Sequence, residues 1–250
     1  MKKWFIVFLL LTAIAKSHSI ELNKDYFKGY IRDTKSILAP KKSKLINASF
    51  VVGATVGLYA CDSKIQDWSQ ENRNETSDKI ASFAKPFGDG MYTLPPLACL
   101  YFYGHFFENE KLKETSLLSL ESFVVSGMFT QIIKLLGHRH RPNTDDPYNT
   151  WDGPSFSSSN LSFSSGHSCS AFAIATVIAS EYKGVISPLA YSIATLTAIS
   201  RVNDNCHWAS DAFFGSYIGY FTAKAIVSSH SEKDKTLTIF PTGFSLAYKF

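Results

Sequence analysis

Between residues 45 and 228 the chain is a succession of apolar segments joined by mostly short polar connections: Leu45 to Cys61, Met91 to Phe107, Leu117 to Leu136, Ser168 to Ser180, Gly184 to Ser200 and Asp211 to Ser228. Each is long for a strand and suits a helix. Helices joined by short loops run antiparallel and bury their apolar faces against one another. The sequence therefore predicts an all-α fold, an antiparallel bundle of about six helices. The end of the chain differs in kind: Phe244, Leu246, Tyr248 and Phe250 alternate with Ser245, Ala247 and Lys249 after Pro241-Thr242-Gly243, the period-two pattern of a strand. One or two strands cannot close a barrel, so a short C-terminal β-strand tail docked on the bundle surface is expected.

A chain of 250 residues suffices for one buried domain, and its 45% hydrophobic and 18% charged content excludes a disordered polymer. The start reads Met1-Lys2-Lys3, then an apolar run from Trp4 to Ala15 with small residues at Ala13-Ile14-Ala15. That is the layout of a secretory leader, and the run is short for a bilayer span. The expected organisation is a signal peptide or N-terminal anchor at 1–19, an approach segment at 20–44, the main domain at 45–228 and a tail at 229–250. Export places the protein in the cell envelope, periplasmic or membrane-associated. Glu121 and Lys134 interrupt the third apolar segment, Glu181 closes the fourth, and Pro95 with Pro96 breaks the second. These interruptions favour a mainly soluble or membrane-associated bundle over a deeply embedded one. The net charge of +4 is too weak to point to nucleic acid and falls further without Lys2 and Lys3. Cys61, Cys99, Cys169 and Cys206 lack metal-site spacing; they serve equally well as disulfide partners or as buried thiols.

The helix ends carry the chemistry. Lys134 to Pro142 follows the third helix, Ser164 to His167 precedes the fourth, Ser200-Arg201 ends the fifth and His207 begins the sixth. Antiparallel order brings these ends to one face. There Lys134, Arg141 and Arg201 supply cations, and guanidinium groups grip tetrahedral oxyanions through paired hydrogen bonds. Ser165 and Gly166 stand where a helix begins, with free backbone amides that favour an anion. His207 and Asp211 are four apart, so a carboxylate can hold the Nδ1 proton of His207 and leave Nε2 aimed at phosphorus. His167 is then placed to protonate the leaving oxygen. The scheme requires no metal and no cofactor. Although His138, His140, His167 and His207 cluster in sequence, no His-Glu-x-x-His set is present.

Order and spacing of these residues match a known pattern: Lys134 six residues before Arg141-Pro142, then Ser164-Ser165-Gly166-His167, then Ser200-Arg201, five residues, His207, three residues, Asp211. The chain resembles the type 2 phosphatidic acid phosphatase superfamily, which includes bacterial class A acid phosphatases, lipid phosphate phosphatases and vanadium haloperoxidases. Ser164 departs from it, standing where the family usually has proline, which bears on the stiffness of the loop and not on its chemistry. The resemblance implies a phosphatase domain at 45–228, a phosphohistidine at His207, orientation by Asp211, acid catalysis by His167, and phosphate binding by Lys134, Arg141, Ser165, Gly166 and Arg201.

Singly, each residue has an ordinary explanation, such as a snorkelling Lys134 or an Arg201 that caps a helix end. Independent structural roles would not impose the joint spacing. His138, Arg139 and His140 fall at variable positions of the pattern and read as a solvated basic turn. The polar loop 143–163, with Trp151, reads as a gate or as an exposed connector. The expected substrate is a phosphorylated lipid; a small soluble phosphomonoester is the alternative, and a catalytically silent lipid-binding envelope protein is the reading from another class. Oligomeric state has no signal in the sequence.

Overall fold

The structure, a computed structural model, describes residues 42–233, 235–240 and 243–248. The expected leader at 1–19 and the approach segment up to residue 41 lie outside the described residues. Among the described residues there are seven α-helices: α1 (Lys42–Glu71), α2 (Glu75–Ala84), α3 (Gly90–Phe106), α4 (Glu110–Gly137), α5 (Gly166–Glu181), α6 (Ile186–Asn203) and α7 (Ala209–Lys233). Two strands follow, β1 (Lys235–Phe240) and β2 (Gly243–Tyr248).

The all-α architecture is the expected one, with one more helix than the apolar segments indicate. The addition, α2, is short and half polar, so no apolar run marks it. It is held by its start: Asn74 accepts from the amides of Thr76 and Ser77 while the Ser77 hydroxyl accepts from the Asn74 amide, a reciprocal cap that contributes about 1 kcal/mol. Pro95 and Pro96 do not break α3, contrary to expectation. They cost the helix the amide donors for the carbonyls of residues 91 and 92, while the first turn stays closed by Asp89, which accepts from Met91 and Thr93. The tail is a hairpin rather than a lone strand. β1 and β2 pair antiparallel with Leu237 opposite Leu246 and Phe240 opposite Gly243.

At the centre lies α5, packed on α4, α6 and α7, with α1 against α7, α2 against α6 and α3 against α4. Small residues make this possible: α5 buries Ser168, Cys169, Ala171, Ala173, Ala175 and Ala179, and Ala171 with Ala175 meets Ala194 of α6. All four cysteines are free.

The radial distribution of polarity is inverted. On α4 the buried positions are mostly polar, among them Ser119, Ser122, Ser126 and Thr130, whereas Met128, Ile132 and Leu136 are more than half exposed. The outward faces of α1 and α3 likewise show Phe50, Val56, Met91, Tyr103 and Phe106. Small polar residues inside and large apolar ones outside suit helices packed beside lipid, and an apolar surface this extensive marks an interaction with a membrane or a protein. Among the described residues α4 is long and apolar enough to cross a bilayer.

Candidate active site

Each motif residue sits at a helix end whose local geometry follows from the sequence. α4 closes at His138, in the left-handed region (φ +46°), with its amide bonded to the Lys134 carbonyl. That reversal turns Arg139 inward. α5 opens at Gly166, and Ser165 caps it by accepting from the Ser168 amide. A Cβ at Gly166 would meet open space, so the amide end of α5 is accessible. After Arg201 the chain folds back: the amides of Cys206 and His207 both donate to the Arg201 carbonyl. His207 therefore precedes α7, which begins at Ala209, rather than opening it as the sequence reading had it.

Close backbone contact between α5 and α7 brings the second motif to the third. The Ser165 amide donates to the Asp211 carbonyl at 3.0 Å. One and two turns along α7, a Cβ on Gly215 would lie 2.4 Å from the Ser165 oxygen and one on Gly219 would meet the Cys169 oxygen. Any side chain there would separate the helices that carry His167 and His207. Gly88 plays the same part for the short turn Lys85–Gly88, which lies directly on the His167 carbonyl.

His207 is buried, with its side chain 4% exposed. Its Nδ1 lies 3.7 Å from Asp211 Oδ2 and 3.5 Å from Ser162 Oγ, which itself donates to Asp211 Oδ2 at 2.5 Å. The expected pairing of His207 with Asp211 is thus relayed in part by a serine. The Trp208 amide donates to the same oxygen, and Arg139 holds Oδ1 at 2.7 Å. Nδ1 faces these acceptors, which leaves Nε2 as the nitrogen available to a substrate. Burial pushes the His207 imidazole down to about 3, and the Lys134 and Arg141 cations add to the shift against Asp211. The lowered pKa favours the neutral ring, the form in which a histidine can act as a nucleophile.

His167 is held more loosely. Its side chain is 29% exposed, and Nε2 lies 3.9 Å from Asp89 Oδ2. Burial lowers it to about 4, with Arg201, Lys85 and Lys134 adding to the shift and Asp89 opposing it. Lys134 thus acts on both histidines. Its Nζ donates to the carbonyls of Leu161 and Ser162, the latter at 3.3 Å. Arg201 donates Nη1 to Asp204 at 3.0 Å, while its Nε, like His167 Nε2, is buried with no hydrogen-bond partner among the described residues. A bound oxyanion would satisfy both nitrogens. Arg141 precedes the short turn Pro142–Thr144.

The basic turn is corrected outright. Arg139 is fully buried and bonds Asp62, Asp211, Ser210 and the Tyr148 carbonyl. His138 is buried with its ring nitrogens against the carbonyls of Ser159 and Ser155. His140 lies between Asp146 and Asp152, whose hydrogen bonds raise its pKa. The loop 143–163 supplies Ser162 and the Leu161 carbonyl to the site, so part of it is structural rather than a free connector. Sequence reasoning missed Asp62, Asp89, Ser162 and Arg139. Of these, Asp62 alone carried a signal, a carboxylate closing an otherwise apolar run.

Residues 116–235 match the PAP2 superfamily, a span that contains every motif residue. Over 62 residues the chain is 45% identical to a lipid A 1-phosphatase of Porphyromonas gingivalis; the match covers 23% of this chain and only 14% of that protein. Two crystal structures share the fold. Aquifex aeolicus LpxE superposes with a TM-score of 0.53 at 21% identity, over 67% of this chain and 94% of that one. A transmembrane PAP2-type phosphatidylglycerolphosphate phosphatase from Bacillus subtilis gives 0.59 at 22% identity, over 76% and 98%. The segment that carries the site is thus the part of the chain that is similar to the PAP2 superfamily.

Proposed function

We propose that the chain is a phosphoric ester hydrolase that removes phosphate from a lipid through a phosphohistidine, with residues 45–228 as the catalytic domain. The observation that carries this reading is the setting of His207: neutral, fixed at Nδ1 by Ser162 and Asp211, and within the field of Lys134 and Arg141. Nε2 attacks phosphorus, the P–O ester bond breaks, and His167 delivers a proton to the departing oxygen. Water, deprotonated by His167, then attacks the phosphohistidine, the P–N bond breaks and phosphate leaves. Lys134, Arg141 and Arg201, with the Gly166 amide and the Ser165 hydroxyl at the start of α5, stabilise charge on the equatorial oxygens; the Ser165 amide, expected to be free, is taken by the Asp211 carbonyl. No step calls for a metal.

Two features favour a lipid over a soluble ester. A cavity of about 440 Å³, lined by Phe87, Leu97, Ala171, Ile178, Leu189 and Ile193 among others, starts one helical turn beyond His167 and suits an acyl or prenyl chain. The outward apolar faces support membrane association, and the N-terminal sequence pattern supports export to the envelope. The relatives fit this reading: one is a lipid A 1-phosphatase and another a phosphatidylglycerolphosphate phosphatase.

The test is phosphate release in chelator from phosphatidic acid, a prenyl diphosphate and a soluble phosphomonoester, beside His207→Ala. Metal-independent release from a lipid, inhibited by vanadate and lost in the variant, is expected. Strict dependence on added divalent metal would sink the mechanism. Preference for the soluble ester would replace the lipid, and no release from any would favour a silent lipid binder.

A further inference from the structure

Joined to Asp211 is a buried ionic network whose other members fall outside the motif positions. Arg139 Nη1 holds Asp211 Oδ1 at 2.7 Å, and its Nη2 holds Asp62 Oδ2 at 2.8 Å. Ser210 ties the two halves together: its amide donates to Asp62 Oδ1 at 2.9 Å, its hydroxyl donates to Asp62 Oδ2, and the same oxygen accepts from Arg139. All four residues are 4% exposed or less, and the guanidinium lies 4.7 Å from the ring centre of Tyr59 and 5.3 Å from that of Trp208.

Asp62 comes from α1, outside the segment that matches the superfamily. One helix face of α1 serves the turn that carries His207. At one and two turns beyond Asp62, Gln66 donates to the Asn205 side chain and Gln70 to the carbonyls of Val202 and Asn203. The helix is thus keyed to the backbone around His207 as well as to Asp211.

On the functional reading given above, we infer that Arg139 and Asp62 are positioning residues for the nucleophile: Arg139 fixes the carboxylate that steers His207, and Asp62 offsets the Arg139 charge. The electrostatics require both parts. As the P–N bond forms, positive charge develops on the His207 ring, and a negative group behind it stabilises that change. Asp211 paired with Arg139 alone would be neutral in sum. Burial raises the Asp62 carboxyl, and the hydrogen bonds from Ser210 and Arg139 oppose that rise; with Asp62 ionised, two carboxylates sharing one guanidinium carry a net negative charge while every oxygen stays bonded. Burial keeps that charge from being screened by water or salt.

The experiment measures phosphoenzyme formation by rapid quench into alkaline detergent, in which the P–N bond of a phosphohistidine survives, normalised to burst amplitude so that the rate refers to folded, titrated sites. Asp62→Asn keeps the shape and removes the charge; its phosphorylation rate should fall about 10- to 100-fold, the range typical of outer partners that orient a reacting group, with KM little changed. Adding Arg139→Gln to Asp62→Asn restores a net negative charge at Asp211 and should recover part of the rate. A purely structural role predicts fewer titratable sites at an unchanged rate per site, and that result in Asp62→Asn overturns the inference. If Asp62→Asn does not fold, Arg139→Lys serves instead. It keeps the charge, but a single ammonium cannot reproduce the fork that holds both carboxylates, so a slowed step is expected and a wild-type rate per site overturns the inference. Absence of any phosphoenzyme in the wild type would overturn the functional reading, and this inference with it.

Discussion

The two histidines of the site are built on opposite plans. His207 is closed in: its neighbour Asp211 is bonded on both oxygens, Ser162 relays between them, and the network reaches back to α1. His167 sits at the partly buried start of α5, with one ring nitrogen unpartnered among the described residues and the Asp89 carboxylate 3.9 Å from it. The contrast suits the two tasks proposed for them. A nucleophile must present one nitrogen in one protonation state along one line of attack, so rigidity and a fixed tautomer serve it. An acid that later becomes a base must gain and lose a proton within each turnover, and a ring locked by a strong partner would do this poorly.

Substitutions on each side would break or sharpen the comparison. The largest loss is expected on the closed side: His207→Ala should abolish the phosphoenzyme and lower kcat by about 10⁴-fold or more, read by labelling with an alkaline quench. Asp211→Asn should come next, about 10³- to 10⁴-fold in kcat, because an amide there supports the wrong tautomer of His207. On the open side the loss should depend on the substrate. His167→Gln should cost about 10²- to 10⁴-fold with a poor alkoxide leaving group and far less with p-nitrophenolate, which leaves without a proton. Equal losses with both would remove His167 from the acid role.

The smallest effect concerns pH. With His167 lowered to about 4 by burial and Arg201, the ring is neutral near pH 7 in the unliganded site. On the proposed mechanism the catalytic proton then arrives with the monoanion of the phosphate ester, whose second pKa is about 6. kcat/KM should therefore fall as pH rises above that value. Asp89 opposes the lowering of His167, so Asp89→Asn should move the alkaline fall of kcat toward lower pH. A shift toward higher pH would show that Asp89 acts otherwise.

Long apolar helices were legible because their signal is local: a run of apolar residues has few other ways to shed its surface from water. The short helix at 75–84 was not, since it buries little beyond Ala81 and Ala84 and is fixed by its cap. The strand at 243–248 showed its alternation; its partner at 235–240 became recognisable only once paired. Lys134, Arg141, Ser165, Gly166, His167, Arg201, His207 and Asp211 were legible as a group because the chemistry of phosphate restricts residue types and the helix ends restrict spacing. The roles of individual residues stay tied to the experiments above.

What the sequence by itself determined is therefore the helical class, and it proposed a set of reactive groups at or near helix ends, governed by short-range periodicity and by the types of side chain that phosphate chemistry requires. Tertiary structure alone decided which charges are buried and with whom. Arg139 read as part of a solvated turn because nothing near it in the chain foretells Asp62, 77 residues away, or Asp211, 72 residues away. Burial of a charge is favourable only when its partners arrive with it, and that depends on how α1 and α7 pack. The close approach at Gly215 and Gly219 is of the same kind: a glycine in a helix reads as a weakness until another helix is found lying against it.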